Sequence, residues 1–220
     1  MSENQVPAVA SVNAVEKFGD DAFSIVSTPS SFLPRVQVMG GNSDLVIHGK
    51  IGVGRYALIR GKEQFDDLNI SFDCLVLAWR PKAMQITDDA VITCFDHTDQ
   101  MFKDIMAESE KKDSGCMYGP EYLVWIPSMK VFALFFMGSK TGRREAPALR
   151  ALLGKAATLR TKLIESKQFS WHGPVVSACS TPFDIPSQEE IAQEVEKFLN
   201  PPKDDVEPVE KVAGDETRAR

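Results

Sequence analysis

Short apolar stretches separated by turn residues follow one another along most of the chain between residues 35 and 178. Alternation of apolar and polar positions is typical of strands that bury one face. Many short strands with a few inserted helices favour a mainly β (α+β) domain, and we expect a partly open β-barrel. The predicted strands cover residues 35–39, 44–48, 55–60, 68–79, 83–86, 90–95, 121–126, 130–137, 157–165 and 169–178.

Apolar residues at helical spacing interrupt the strand pattern and predict three helices. Four apolar side chains predict a helix over residues 99–109. A shorter helix is predicted over residues 146–153, with Pro147 in its first turn, where proline is tolerated. Ser187, followed by two glutamates, is a good N-cap for an amphipathic helix over residues 187–199.

The pattern also divides the chain into segments. Residues 1–20 are small and polar, which predicts a flexible N-terminal arm. Residues 21–186 are predicted to form one β-rich domain, and the amphipathic helix follows it. Two prolines end that helix, so residues 200–220 are predicted to be a disordered acidic tail.

Composition is that of an ordinary globular protein. The chain has 220 residues, of which 43% are hydrophobic and 25% charged. No window approaches the roughly 18 uninterrupted apolar residues of a membrane helix, and the N-terminus lacks the features of a secretory signal. The four cysteines show no C-x-x-C spacing, which favours small core residues and a cytoplasmic location.

Charge is segregated along a chain whose net charge is −6. Residues 140–172 contain eight basic and two acidic residues, for a net charge of +6. Residues 187–220 contain ten acidic and five basic residues, for a net charge of −5. A basic segment in a net-acidic chain indicates an anionic partner, and the tail can imitate that partner.

Motifs of phosphate-binding enzymes are incomplete. Gly138-Ser139-Lys140-Thr141 resembles the end of a P-loop, but Ser139 separates the glycine from the lysine, and Ala133 stands where the first glycine is needed. No G-x-S-x-G nucleophile motif is present. The sequence therefore predicts a non-enzymatic protein with no catalytic residue and no cofactor.

Aspartates offer two candidates for a metal site, of which the first is Asp96-His97-Thr98-Asp99. Asp88, Asp89 and Asp96 are near enough in sequence to form an acidic cluster of the kind that metal-dependent nucleases use. No further ligand follows at a recognisable spacing, and aspartate is common in turns and at N-caps. We therefore predict no metal site, and a metal-dependent nuclease stays as a second alternative function.

Basic and aromatic residues are interleaved between Tyr118 and His172. Cationic side chains that follow phosphates and flat side chains that stack on bases are what single-stranded nucleic acid requires. The cationic candidates are Arg55, Arg80, Lys140, Arg143, Arg144, Arg150, Lys155, Arg160 and Lys162. The aromatic candidates are Tyr56, Trp79, Tyr118, Tyr122, Trp125 and Trp171.

A resemblance to known proteins is carried by Tyr118-Gly-Pro-Glu-Tyr-Leu-Val-Trp125, by residues 135–147 and by residues 170–176. The chain resembles bacteriophage single-stranded DNA-binding proteins of the OB-fold type with acidic C-terminal tails. The resemblance implies that residues 21–186 are an OB-like, nucleic-acid-binding domain. It also implies coating of single-stranded DNA without sequence specificity, in replication or recombination in the bacterial host cytoplasm. RNA as the ligand and self-association are left open.

The acidic tail is compatible with two roles. The tail competes with nucleic acid for the basic groove and recruits replication or recombination proteins, or it only increases solubility. The first alternative function is a phage structural or assembly protein whose β-barrel packs against copies of itself.

Overall fold

A computed structural model describes residues 33–61, 64–87, 90–111, 114–166 and 170–200. These residues form nine strands in one sheet and four helices, which confirms the mainly β class. The strands are β1 (Arg35–Val38), β2 (Tyr56–Ile59), β3 (Phe65–Asp67), β4 (Ser71–Ile86), β5 (Val91–Cys94), β6 (Cys116–Ile126), β7 (Val131–Phe136), β8 (Ala156–Glu165) and β9 (Ser170–Ala178). The helices are α1 (Asp44–Ile47), α2 (Gln100–Glu108), α3 (Lys140–Arg150) and α4 (Gln188–Leu199).

The sheet is open, with the strand order β3-β2-β1-β7-β6-β4-β8-β9. Strand β4, with 16 residues, is its longest element. It pairs with β6 along one edge, and with β8 and β5 at the two ends of the other edge. The β1–β7 pair is parallel, and every other pair is antiparallel.

Strand β4 runs through Pro81, where the sequence predicted two separate strands. Pro81 lies opposite Pro120 of β6. Neither residue has an N–H, and this pair is a non-hydrogen-bonded pair of the ladder. The nitrogen of Pro81 points to the other edge of β4, at a position that neither β8 nor β5 covers. The two prolines therefore interrupt no hydrogen bond between β4 and β6, and the strand continues.

Apolar side chains pack on both faces of the sheet. On one face, Tyr56, Tyr122 and Phe135 belong to the larger core cluster, which Ala146 and Leu149 of α3 cover. On the other face, Ile191, Val195, Phe198 and Leu199 of α4 pack on strands β4, β6 and β7. The four residues form one stripe of an amphipathic helix, as the sequence predicted.

The two ends of the open sheet approach each other across the larger core. The Tyr56 hydroxyl donates to the carbonyl of Arg160 at 3.0 Å, and the Thr161 hydroxyl donates to the carbonyl of Gly54 at 2.6 Å. A Cβ on Gly54 would overlap the ring of His172, and the φ of Gly54 is +78°, which favours glycine. Side-chain contacts, rather than a β-ladder, therefore join these ends.

Two predicted elements were wrong. Residues 44–47 form helix α1 instead of a strand, because the N–H groups of Val46 and Ile47 bond to Ser43 and those of Lys50 and Ile51 bond to Leu45. Helix α3 begins at Lys140 rather than residue 146, since the Ser139 hydroxyl accepts from the Gly142 N–H as an N-cap.

Several predictions were confirmed closely. Helix α2 begins after its N-cap Asp99, whose carboxylate accepts from the Met101 N–H. Helix α4 begins with a capping box, in which Ser187 and Glu190 bond to each other's backbone N–H. Strands β5 to β9 lie where the sequence predicted strands, and the β4–β5, β6–β7 and β8–β9 neighbours pair as antiparallel hairpins.

Some predictions lie outside the described residues. These are the N-terminal arm, the acidic tail from residue 201 onward, and the Asp88-Asp89 turn. Among the described residues, no helix has the length and apolar character needed to cross a bilayer.

Candidate nucleic-acid interface

The β8–β9 hairpin places two predicted cations and one predicted aromatic residue on the same face. In its register Lys162 lies opposite Gly173, Arg160 opposite Val175, and Ile164 opposite Trp171. Cross-strand partners share a face, and every second residue along a strand does too. Arg160, Lys162 and Trp171 therefore lie on one face, with the two cations exposed and Trp171 43% exposed.

The first turn of α3 sits against this face. The indole Nε1 of Trp171 donates to the Thr141 hydroxyl at 3.0 Å. Gly173 lacks a side chain, and a Cβ there would overlap Thr141 and press on Ile164. The close approach of helix and hairpin thus depends on glycine, and it brings exposed Lys140 and Arg144 to the same region. We call Lys140, Arg144, Arg160, Lys162 and Trp171 the basic surface.

Electrostatics at the basic surface favour anions for two reasons. Its four cationic side chains are exposed, so phosphate groups can reach them from solvent. The positive end of the α3 dipole adds to the charges of Lys140 and Arg144. The four cations can contact successive phosphates of a nucleic acid. The exposed part of the Trp171 indole ring stays accessible to a base.

Arg143 has a different role from its neighbours in α3. Its guanidinium lies 4.1 Å from the centre of the Tyr118 ring and donates to the carbonyls of Gly138 and Tyr118, at 2.6 and 3.2 Å. These contacts attach the start of α3 to strand β6. Arg143 and Tyr118 were predicted to bind nucleic acid, but the structure shows them binding each other.

Glu110 is an anion that already occupies the edge of the basic surface. Its carboxylate lies 3.7 Å from the Lys140 ammonium and 3.6 Å from the Arg143 guanidinium. A bound phosphate would compete with this carboxylate for the same cations. Glu110→Gln is therefore expected to tighten binding of a labelled oligo-dT about 2- to 5-fold at low salt, measured by fluorescence anisotropy. Glu194→Gln, on α4, is the matched control and leaves the affinity unchanged.

Arg150 and Trp79 form a second pair, at the other end of α3. The Arg150 guanidinium lies 4.1 Å from the centre of a Trp79 ring, and Trp79 is half-buried. The guanidinium covers one face of that ring. A base could stack on this face of Trp79 only if Arg150 moved away from it. Exposed Lys155 follows α3 in the turn to β8.

Three predicted contact residues are buried, and we withdraw their proposed roles. Tyr56 and Tyr122 are 0% exposed, and their hydroxyls donate to the carbonyls of Arg160 and Ala146. Burial raises the pKa of both phenols far above the ordinary value. Neither ring presents a face to a base. Arg80 is also buried, within the cluster described below.

Arg55 and Trp125 make structural contacts outside the basic surface. Arg55 pairs with Asp67 at 2.8 Å and with the side chain of Asn69, in the turn that precedes β4. Trp125 packs on Phe132 and donates to the carbonyl of Asp184 at 3.1 Å. It thereby fastens the segment between β9 and α4 to the sheet face that α4 covers.

A buried cluster of charges is the largest feature that the sequence did not reveal. Glu121 of β6 bonds to Arg80 at 2.7 Å and also to Lys82, both on β4. The third nitrogen of Arg80 donates to the carbonyl of Phe198, near the end of α4, at 2.6 Å. The guanidinium also lies 3.8 Å from the centre of the Phe95 ring. We call Arg80, Lys82 and Glu121 the charge cluster.

Burial and neighbours act in opposite directions on the pKa values in this cluster. Burial would raise the pKa of Glu121, but Lys82 and Arg80 hold it below its ordinary value. Burial lowers the pKa of both Lys82 and Arg80, and Glu121 opposes that change. Two cations share one anion, so the integrity of the cluster depends on Glu121.

The described residues contain no group of three or more His, Cys, Asp or Glu side chains that would hold a metal ion. Asp96 accepts hydrogen bonds from the N–H and hydroxyl of Thr98, which lower its pKa. Asp99 caps α2. Both therefore act as turn and N-cap residues, whereas Asp88 and Asp89 lie outside the described residues.

No protein-family model, curated protein or solved structure matches this chain.

Proposed function

We propose that the protein binds single-stranded DNA without sequence specificity, in replication or recombination. The carrying observation is the exposed ring of Trp171, which shares a face with Arg160 and Lys162 and bonds to the first turn of α3. A fixed ring between cations suits a single strand, whose bases are free to stack while its phosphates contact the charges.

The chemistry of the basic surface supports sequence tolerance. Every base has a flat face that can stack on an indole, and phosphates are identical at every position. The lysine and arginine side chains at this surface are exposed, and no buried hydrogen bond fixes their orientation. They therefore suit contacts with phosphates better than hydrogen bonds to specific base edges.

The finer architecture is part of the same proposal. An OB-like, partly open barrel is supported by the approach of the sheet ends, where Tyr56 bonds to Arg160 and Thr161 bonds to Gly54. Arg160 belongs to the basic surface. The bond from Tyr56 to the Arg160 carbonyl therefore also helps to position the surface where we propose that DNA binds.

The salt dependence of binding tests the phosphate contacts. Each contact on single-stranded DNA changes the slope of log Kobs against log salt by about 0.7, so Arg160→Ala with Lys162→Ala should reduce the slope by about 1.4. Fluorescence anisotropy of a labelled oligo-dT between low and high salt gives the slope. The single replacement Lys197→Ala, on α4, is the control for loss of a cation and keeps the wild-type slope.

The acidic tail is proposed to compete with DNA for the basic surface. Deleting the residues that follow Asn200 is expected to tighten oligo-dT binding, most clearly at low salt, because a tethered polyanion acts at high effective concentration. The same anisotropy titration measures this. Unchanged affinity would indicate that the tail only increases solubility.

Failure of both the full-length and the shortened protein to bind oligo-dT at low salt would contradict the proposed function. Concentration-dependent assembly without DNA, measured by sedimentation, would then favour the structural or assembly protein. Magnesium-dependent cleavage of the oligonucleotide would instead favour the nuclease.

A further inference from the structure

Helix α3 connects the basic surface with the pair formed by Arg150 and Trp79. Thr141, which accepts the hydrogen bond from Trp171, lies in the first turn of α3, and Arg150 is its last residue. The step of nine positions from Thr141 to Arg150 corresponds to about two and a half turns and about 14 Å along the axis. The two residues therefore lie on opposite flanks of the helix, near its two ends.

An exposed stripe runs along α3 between these two flanks. It is formed by exposed residues that follow one another at intervals of three or four positions, namely Lys140, Arg144, Ala148 and Ala151. The stripe is basic in its first half and has only small side chains in its second half. The one carboxylate of α3, that of Glu145, is half-buried and lies four positions after Thr141, on the same flank. A phosphate chain that follows the stripe therefore meets no acidic side chain of the helix.

Arg150 presents a flat cation at the far end of this stripe. It is exposed, and its guanidinium carbon lies over a Trp79 ring, 4.1 Å from the ring centre. Trp79 packs on the larger core cluster, so its ring is a firm support for the guanidinium. A guanidinium that is held from one side loses less freedom when a base stacks against it, and bases stack on arginine planes as they do on aromatic rings.

We propose that a single strand of DNA crosses α3 obliquely from Trp171 to Arg150, and that Arg150, supported by Trp79, is a second platform on which a base stacks. This inference rests on the proposed function and adds the path of the strand across the protein. Trp171 receives a base at one end of the path, and Arg150 receives a base at the other. Lys140 and Arg144 contact the phosphates between them. At about 3.4 Å per stacked nucleotide, about five nucleotides connect the two platforms.

The three tryptophans of the chain allow a direct test on the full-length protein. Labelling with 5-fluorotryptophan gives one fluorine NMR signal for each, and replacing each tryptophan with phenylalanine in turn assigns them. We expect a twelve-nucleotide oligo-dT, which is long enough to reach both platforms, to shift the signals of Trp171 and Trp79 with the same midpoint. The signal of Trp125 is the internal control, because Trp125 packs on Phe132 on the sheet face that α4 covers. A Trp79 signal that stays unmoved while that of Trp171 saturates would overturn the inference and leave the proposed function standing.

Replacing Arg150 separates its flat shape from its charge. Arg150→Lys keeps the charge, so it should leave the slope of log Kobs against log salt unchanged. It should weaken binding of the same oligo-dT about 2- to 5-fold, the size of a cation–π contact at an exposed site. Arg150→Ala also removes the charge, so it should weaken binding further and reduce the slope by up to about 0.7. Arg60→Lys, in an exposed arginine that pairs with Asp66, is the matched control and keeps the wild-type affinity.

Two further outcomes would contradict the inference. Equal affinity of wild type and Arg150→Lys would show that Arg150 acts as a charge and not as a platform. Absence of oligo-dT binding by the wild-type protein at low salt would overturn the inference together with the proposed function. If urea denaturation shows that Arg150→Lys is destabilised, the fluorine signal of Trp79 in the wild-type protein decides alone.

Discussion

Replacing Trp171 with alanine is expected to weaken oligo-dT binding about 5- to 150-fold. Stacking of one base on an aromatic ring contributes about 1–3 kcal/mol, and Trp171 is the exposed aromatic residue that the structure places beside Arg160 and Lys162. Anisotropy titrations at fixed salt measure the change. The slope against salt should stay the same, because the substitution removes no phosphate contact.

Two conservative variants separate the ring from its hydrogen bond. Trp171→Phe keeps a flat ring but loses the N–H that Thr141 accepts, whereas Thr141→Val removes the acceptor and keeps the indole. If stacking dominates, both should bind within a few-fold of wild type. A loss in Thr141→Val as large as that in Trp171→Ala would show that the helix position, and not stacking, governs affinity.

Replacing Glu121 with glutamine is expected to lower the free energy of unfolding by about 3–5 kcal/mol. The substitution leaves Arg80 and Lys82 buried without an anion, and removal of one partner from a buried ion pair has costs of this size. Denaturation by urea or guanidinium, followed by circular dichroism and tryptophan fluorescence, measures the change. Glu194→Gln, in an exposed pair with Lys197, should change it by about 1 kcal/mol or less.

The dependence on pH identifies the charge as the cause. The pKa of Glu121 is lower in the folded protein, so its contribution is present above the unfolded pKa of about 4.3 and is lost as the pH falls through the folded value. The difference between wild type and Glu121→Gln should therefore shrink in acid. A constant difference at every pH would indicate a packing defect.

A variant without any charge provides the second control. Arg80→Met, Lys82→Met and Glu121→Leu together remove both cations with the anion, and such replacements of buried ionic groups are often neutral or stabilising. This variant also lacks the bond from Arg80 to the carbonyl of Phe198. If it unfolds as easily as Glu121→Gln, loss of the α4 contact rather than an uncompensated charge explains the instability.

Local sequence signals predicted most of the elements. Ser187 located the start of α4, because an N-cap side chain bonds to an N–H group two or three positions later. Apolar residues at helical spacing located α2. The errors occurred where a local signal was ambiguous. Three consecutive apolar residues around Val46 suit a strand or a short helix, and Pro147 inside α3 resembled a helix start.

The candidate site was predictable only in outline. The cations of residues 140–162 and Trp171 lie close together in sequence, and β8–β9 pairing places Arg160, Lys162 and Trp171 on one face. Burial of Tyr56 and Tyr122 was not predictable, because strand alternation shows that one face is buried but does not show which face. The hydrogen bond between Trp171 and Thr141 joins residues 30 positions apart and has no local signal.

Sequence alone determined the mainly β class, the capped helices and the segregation of charge, since each depends on residues that are neighbours along the chain. Only the tertiary structure decided which cations are free. Arg80 was predicted to contact phosphate, but the pairing of β4 with β6 places it opposite Glu121, under the end of α4. Arg160 and Lys162 lie on a hairpin face where no described carboxylate pairs with them, and they remain exposed. Strand register and helix packing made that distinction, because they bring together residues that are far apart in sequence.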